Sequence, residues 1–280
     1  MQHAPRHPNR RDKKATQARK AVAVLFILSL VVAAVGYAYL TGQAALRPLD
    51  PKTFCPTDAE GPSSVTAILI DRTDTFSLVQ QAAIRERLNE LKDQTPRYGL
   101  IEVYAVEPTQ QKLLQPEFTM CNPGKGENIS KWTGNPHLVE ERWQKLFATP
   151  LQSLFDTILG GGTANISPIM ESIQSIAVTS LGTPELAAKN IPRRLIIISD
   201  LLQYVKDYSQ YRPLGNFAQF KTTPYYQSVR ADLSGVSVAF WYVRRQKTLP
   251  LQGEKHLAFW RAYIADQGGT VDKVWDVPGL

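Results

Sequence analysis

The sequence contains few of the residues that bind zinc or act as nucleophiles. Its 280 residues include only two cysteines and four histidines. Two cysteines cannot complete a structural zinc site alone, and no histidine lies at ligand spacing from them. The sequence also lacks an evident nucleophile with an adjacent general base. The composition therefore argues against a zinc protein and favours a function other than catalysis.

Net positive charge is scarce outside the first twenty residues. The net charge of the chain is +7, and residues 1–20 contribute +6 of it, because seven Lys or Arg residues are balanced there by Asp12 alone. The other 260 residues carry +1. They offer no broad basic surface, so we expect no nucleic-acid partner for this part of the chain.

One long apolar run follows the basic segment. Residues 21–40, AVAVLFILSLVVAAVGYAYL, contain no charge, and a helix of this length spans roughly 30 Å, the thickness of bilayer hydrocarbon. The apolar core of a cleaved signal peptide is shorter, about 7–15 residues. We therefore predict a retained transmembrane helix. The basic tail, residues 1–20, should stay in the cytoplasm, which places the rest on the periplasmic or extracellular side.

The segment after this helix differs in composition from the remainder of the chain. Residues 41–62 combine proline, glycine and small polar residues without periodicity, which predicts a stalk before a domain over residues 63–280. Cys55 lies in the stalk and Cys121 in the domain. An oxidising compartment favours a disulfide between them over two free thiols.

Strands and helices alternate along residues 63–280. Apolar runs predict strands at 64–70, 98–106, 193–200, 236–243 and 270–277, and residues 112–121 predict an antiparallel edge strand that tolerates Pro116. Helical spacing occurs at 76–94, 138–159, 167–181 and 254–266. This order predicts an α/β, Rossmann-like fold whose central sheet is mostly parallel, with one antiparallel edge strand and helices on both faces.

Oxygen-bearing side chains follow two of the predicted strands. Asp71 ends the first strand, with Thr73 and Thr75 behind it, and Asp200 ends the strand RRLIIIS. Thr163 follows three glycines and precedes a helix. If the two strands are neighbours, these side chains converge at the carboxyl edge of the sheet, where such folds bind ligands. Oxygen ligands suit a hard divalent cation, so we predict a metal site formed by these five residues.

These elements resemble the von Willebrand factor A domain with its metal-ion-dependent adhesion site. That pattern is Asp-x-Ser-x-Ser after the first strand, Gly-Gly-Thr before a helix, and Asp after a later strand. Residues 71–75, 161–163 and 200 match it in order, with threonine at both serine positions. The resemblance covers residues 62–280 and implies a domain that binds a protein ligand through Mg²⁺ or Mn²⁺. The sequence departs from the pattern at Asp74, an extra acid, and at Leu201, where the family often has glycine.

The predicted site leaves room for a partner. Two carboxylates and neutral hydroxyls balance a divalent charge without filling a six-coordinate shell, so an Asp or Glu carboxylate of a protein ligand can complete it. Arg244 and Arg245 follow a strand at the same sheet end, and Arg212 lies in an aromatic loop, residues 204–226, that leaves this end. We expect these arginines to attract an acidic partner, although the aromatic residues of the loop suit packing against the domain equally well.

Two other interpretations remain open beside a membrane-anchored, metal-dependent binding module of an envelope or cell-surface assembly. In one, the metal site is vestigial, and Asp71 or Asp74 only caps the following helix. In the other, the chain is a Mg²⁺-dependent phosphohydrolase of the haloacid-dehalogenase type. That family requires Asp-x-Asp where this sequence has Thr73, and a second acidic pair where Leu201 follows Asp200.

Overall fold

The structure is a computed structural model that describes residues 10–44, 47–108, 113–128, 135–162, 164–212 and 215–279. In the first helix, the side chains of residues 19–37 are described. The chain forms two compact units, Met1–Pro48 and Leu49–Leu280, which we describe separately.

The first unit contains one long helix, α1 (Arg10–Ala44). Its stretch from Arg19 to Tyr37 has a mean hydropathy of 2.2, and its large apolar side chains are exposed. The helix is therefore long and apolar enough to cross a membrane, and it contains the predicted span, residues 21–40. That the span lies in a membrane, with the basic tail inside, remains a prediction.

The second unit is built on a six-stranded sheet. Its strands are β1 (Ser64–Ile70), β2 (Gly99–Ala105), β3 (Phe118–Cys121), β4 (Arg193–Ser199), β5 (Val236–Val243) and β6 (Thr270–Val277). They lie in the order β3-β2-β1-β4-β5-β6, and only the pairing of β2 with β3 is antiparallel. This arrangement confirms the predicted α/β fold class with its antiparallel edge strand. The edge strand is shorter than predicted because it begins at Phe118, after Pro116, which cannot donate a ladder hydrogen bond.

Helices cover both faces of the sheet. Among the described residues they are α2 (Leu78–Gln94), α3 (Pro136–Trp143), α4 (Thr149–Leu159), α5 (Ile169–Ile176), α6 (Pro184–Ala188), α7 (Phe217–Lys221), α8 (Pro224–Ser228) and α9 (Glu254–Asp266). Alternate residues of β1 point to opposite faces. Leu69 belongs to the core that α5 and α9 help form, and Ile70 belongs to the core beneath α2 and α4. A π-helical turn, Gln144–Ala148, joins α3 to α4, which has Pro150 in its first turn.

A disulfide ties the start of the second unit to the antiparallel edge. Cys55 and Cys121 are bonded, with their Cα atoms 4.9 Å apart, which confirms the predicted pair. The Cys121 amide also donates to the Thr53 carbonyl over 2.8 Å. Cys121 pairs with Leu100 near the start of β2, so the disulfide lies at the amino end of the parallel strands. Residues 49–62 of the predicted stalk thus belong to the second unit.

We expect removal of the disulfide to destabilise the domain strongly. The bond closes a loop over a sequence separation of 66 residues, for which chain entropy gives about 4 kcal/mol of stabilisation. Urea unfolding of a Cys55→Ser/Cys121→Ser double variant should show a loss of this size, and a reductant should then have no further effect. An unfolding midpoint equal to that of the oxidised wild type would show that the bond does not stabilise the domain.

Candidate metal centre

The two predicted metal-binding carboxylates lie at the ends of neighbouring strands. β1 and β4 run in parallel, with Ile70 opposite Ile198, and the Asp71 amide donates to the Ile198 carbonyl over 2.9 Å. Asp71 therefore continues the ladder by one residue beyond β1, and Asp200 directly follows β4. Both residues are buried, with exposed fractions of 1% and 3%.

Asp71 accepts four hydrogen bonds that fix its carboxylate. Its Oδ1 accepts from the Thr73 amide over 3.0 Å and from the Thr73 hydroxyl over 2.6 Å. Its Oδ2 accepts from Ser167 over 3.1 Å and from Ser199 over 2.8 Å. Because three hydroxyl oxygens surround this carboxylate, the site is lined by oxygen atoms beyond the five predicted residues.

Ser167 and Ser199 are site residues that the sequence analysis missed. Ser167 contacts Asp71 although its place before Pro168 suggested only a helix start, and the helix α5 begins at Ile169. Ser199 is the last residue of β4. The available signal for Ser199 was a single hydroxyl that ends the apolar run of β4 directly before Asp200.

The glycine turn packs against the loop that follows Asp71. Gly161 has a φ of +81°, and a Cβ there would lie 3.1 Å from the Thr75 Cα, so a side chain would be both strained and crowded. The Ala164 amide donates to the Thr73 carbonyl over 2.9 Å. The turn therefore meets residues 72–75, as its predicted role requires. Thr163 itself lies outside the described residues, so its part in the site stays a prediction.

Asp200 is buried beside another acid and is paired with an arginine. Its Oδ1 accepts from the Leu202 amide over 2.9 Å, and its Oδ2 accepts from the Arg245 Nε over 3.0 Å. Burial, and secondarily the negative charge of Asp71, raise the pKa of Asp200, while Arg245 acts in the opposite direction. The two carboxylates thus need positive charge nearby to remain ionised together.

Arg245 supplies that positive charge from the loop after β5. Besides Asp200, its Nε lies 3.6 Å from Asp74, and its Nη1 donates to the Thr75 carbonyl over 2.7 Å. The guanidinium carbon also lies 5.7 Å from the centre of the Phe76 ring. With a side chain only 14% exposed, Arg245 covers the acidic cluster instead of projecting freely toward a partner.

The other two predicted partner-binding arginines have different surroundings. The Arg244 Nε donates to Asp276 over 3.1 Å, so this side chain points toward β6, away from Asp200. Arg212 is exposed. Near it, Tyr211 packs edge-on against Tyr204 with ring centres 5.5 Å apart. Burial, followed by the charge of Asp200, raises the pKa of Tyr211, which places this ring at the border of the site.

Most of the aromatic loop packs into the domain. Tyr208 stacks on Tyr225 at 5.2 Å, and Phe220 packs against Phe259 of α9 at the same distance. Phe220 and Tyr226 are buried in the core. Packing is therefore the main role of these aromatic residues, whereas Tyr204 and Tyr211 remain partly exposed next to the site.

Leu201 adopts a left-handed backbone conformation. Its φ is +60°, a value that favours glycine and strains a branched residue. The Leu201 side chain is fully buried, and its carbonyl accepts from the Trp260 Nε1 over 2.8 Å and lies 3.1 Å from the His256 Nε2. Contacts with α9 therefore hold the turn after Asp200 in place.

Comparisons with known proteins found solved structures of low similarity. No family model and no curated protein matches the sequence. A von Willebrand factor type A structure from Catenulispora acidiphila is 13% identical and covers 77% of this chain, with a TM-score of 0.33. This chain spans only 39% of that protein. The conserved hypothetical protein BatB from Bacteroides thetaiotaomicron is 12% identical over 76% of this chain and 91% of its own, with a TM-score of 0.34. Likenesses at this level say nothing about ligands of this chain.

The arrangement fits a hard cation, with one condition. Two buried carboxylates and several hydroxyls provide oxygen atoms only, and the Arg245 guanidinium shows that the cluster holds a positive charge. Within the described residues, no three His, Cys, Asp or Glu side chains are grouped to hold a metal. A bound cation would thus depend on Asp71, Asp200 and hydroxyls such as Thr73, and it would compete with Arg245 for Asp200.

We expect the stability of the domain to fall in acid through His256. Burial lowers the pKa of this side chain from its ordinary value of 6.5 to about 4. Below pH 6.5 the unfolded chain gains a proton that the folded domain does not accept, so about 3 kcal/mol of stability should be lost as the pH falls to 4.

Urea unfolding of the full chain in detergent at several pH values measures this loss. A His256→Asn variant is the control for other titrating groups, and its free energy of unfolding should depend less on pH between 6.5 and 4. Equal slopes for the two proteins would contradict this assignment.

Proposed function

We propose that the chain is a membrane-anchored protein-binding module whose site holds Mg²⁺ or Mn²⁺ and captures an Asp or Glu carboxylate of a protein partner. The observation that carries this proposal is the pairing of two buried carboxylates at the ends of β1 and β4, next to the Thr73 hydroxyl. Burying two like charges is costly unless a cation neutralises them. The cluster is therefore suited to binding a cation.

The residues of the site have separable roles in this proposal. Asp71 and Asp200 provide the negative charge, and Ser167 and Ser199 orient Asp71 through hydrogen bonds to its Oδ2. Thr73 offers a neutral oxygen, and we assign the same role to Thr75 and Thr163. A Mg²⁺ or Mn²⁺ ion bound there would supply a Lewis-acidic position for a carboxylate oxygen of the partner.

The surroundings of the site are suited to recognising a protein. Tyr204 and Tyr211 are partly exposed beside the acidic cluster, and tyrosine and arginine are enriched in protein interfaces. Arg212, exposed in the same segment, would attract an acidic partner by its charge. We propose that this face, together with the cation, selects the ligand.

One observation favours a second candidate, a scaffold whose metal site is vestigial. All four carboxylate oxygens of Asp71 and Asp200 already accept hydrogen bonds, and Arg245 provides a positive charge without a metal. A phosphohydrolase is less well supported, because a nucleophilic Asp71 would need an accessible oxygen and the residue is buried. Cation binding by the purified protein distinguishes the first candidate from the second.

We expect Asp71→Asn or Asp200→Asn to weaken Mn²⁺ binding at least tenfold, since each variant removes a charged ligand. Thr73→Ala and Thr163→Ala should weaken it less, because water can replace a neutral hydroxyl. Titration of the full chain in detergent by calorimetry, with Mn²⁺ paramagnetic resonance as a second readout, gives the affinities. Asp276→Asn removes an exposed carboxylate elsewhere and is the matched control. Unchanged affinity in Asp71→Asn would rule out the proposed site.

Partner capture is expected to follow cation binding. Immobilised wild-type protein should retain its ligand in Mg²⁺ and lose it in chelator, and Asp71→Asn should behave like the chelated wild type in both buffers. Retention that is identical in all four conditions would favour the vestigial scaffold.

The anchored topology has its own test. If residues 1–20 are cytoplasmic, protease added to intact cells, or to spheroplasts where an outer membrane exists, should digest the domain and spare the tail. Complete protection of the domain with an accessible tail would contradict the proposed orientation.

A further inference from the structure

Arg245 binds one of the two buried carboxylates of the proposed cation site. Its Nε lies 3.0 Å from the Asp200 Oδ2, which is the oxygen of Asp200 that the Leu202 amide leaves open. Two positive charges cannot share this oxygen without strong repulsion at such short distances. The guanidinium and a divalent cation therefore compete for the same carboxylate.

We propose that Arg245 is the resident cation of the site and that a divalent cation binds by exchange with its guanidinium. When the metal leaves, Arg245 returns to Asp200 and restores the charge balance of the buried acids. This inference rests on the proposed metal-binding function and adds a built-in competitor to it. Neither the predicted metal ligands nor the family pattern includes this residue.

The contacts of Arg245 allow its side chain to move while its backbone stays fixed. The buried Gln252 side chain accepts from the Arg245 amide over 2.9 Å and donates to the Val243 and Asp200 carbonyls over 2.8 Å and 3.3 Å. These bonds hold the loop after β5 against the strand that carries Asp200. The side chain, by contrast, is held at its tip, by Asp200 and the Thr75 carbonyl, and both bonds can break without moving the loop.

Asp74 gives the displaced guanidinium a second partner. Its carboxylate already lies 3.6 Å from the Arg245 Nε, and its side chain is 52% exposed. A small rotation of Arg245 toward solvent would exchange Asp200 for Asp74, at little cost in desolvation because Asp74 is hydrated. This assigns a role to the extra acid by which the sequence departs from the family pattern.

The neighbouring arginine provides a matched control for charge. Arg244 precedes Arg245 in the chain and carries the same charge, but its Nε pairs with the exposed Asp276 at 3.1 Å. Replacing either arginine by glutamine removes one positive charge from the same loop. Only the replacement of Arg245 removes a competitor from Asp200.

Mn²⁺ affinity and metal-free stability of the full chain in detergent test the exchange. We expect Arg245→Gln to bind Mn²⁺ about tenfold more tightly than wild type, a factor that corresponds to the free energy of one charge-assisted hydrogen bond. The Mn²⁺ affinity of Arg244→Gln should stay within about twofold of wild type. In chelator, Arg245→Gln should melt below wild type, because two buried carboxylates lose their counter-charge. Saturating Mn²⁺ should remove that difference.

The possible results distinguish a failure of the exchange from a failure of the proposed metal site. Equal Mn²⁺ affinity in wild type and Arg245→Gln, or weaker affinity in the variant, would overturn the exchange and leave the proposed metal site standing. Absence of Mn²⁺ binding in both proteins would overturn both. If Arg245→Gln does not fold in chelator, Arg245→Lys decides, because a lysine keeps the charge but loses the bond to the Thr75 carbonyl. Its Mn²⁺ affinity should be tighter than that of wild type, and an affinity no tighter would overturn the exchange.

Discussion

Two carboxylates buried side by side set the main constraint on this domain. Asp71 and Asp200 end adjacent parallel strands, so the sheet places their charges together whether or not anything binds them. Four hydrogen bonds hold Asp71, whereas Asp200 depends on the Leu202 amide and Arg245. Because hydrogen bonds alone do not offset two buried like charges, a positive charge has to be present. The functional question is which cation provides it.

The contacts of the loops around the site would allow one cation to replace another at Asp200 without a change of fold. The Gly161 turn packs on Thr75, Gln252 braces the loop after β5, and α9 holds the strained turn at Leu201. These contacts fix the backbone on all sides of the acidic cluster. The side chain of Arg245, held at its tip by Asp200 and the Thr75 carbonyl, is the part that we propose to move. A rigid frame with one mobile cation is suited to a site whose occupancy is regulated.

The sequence was sufficient to predict the fold class and the ends of β1 and β4, because both depend on local patterns, and it was sufficient for the disulfide because the chain has only two cysteines. The apolar run of β1 stops at Asp71, and that of β4 stops at Ser199. The sequence was not sufficient to predict contacts between distant loops. Arg245 was expected to face a partner, since nothing in the sequence indicates that β5 places it over Asp200. The contact of Ser167 with Asp71 was not predicted, because a serine before Pro168 is equally typical of a helix start.

The most direct test of the account is the anomalous diffraction of crystals of the domain soaked in Mn²⁺. We predict an anomalous peak between Asp71 and Asp200, within bonding distance of the Thr73 hydroxyl, together with an Arg245 side chain that has moved from Asp200 toward Asp74. A Mn²⁺ peak with Arg245 still paired to Asp200 would support the metal site and contradict the exchange. The absence of a peak, with Arg245 in its present position, would contradict the metal site itself and leave a scaffold neutralised by its own arginine.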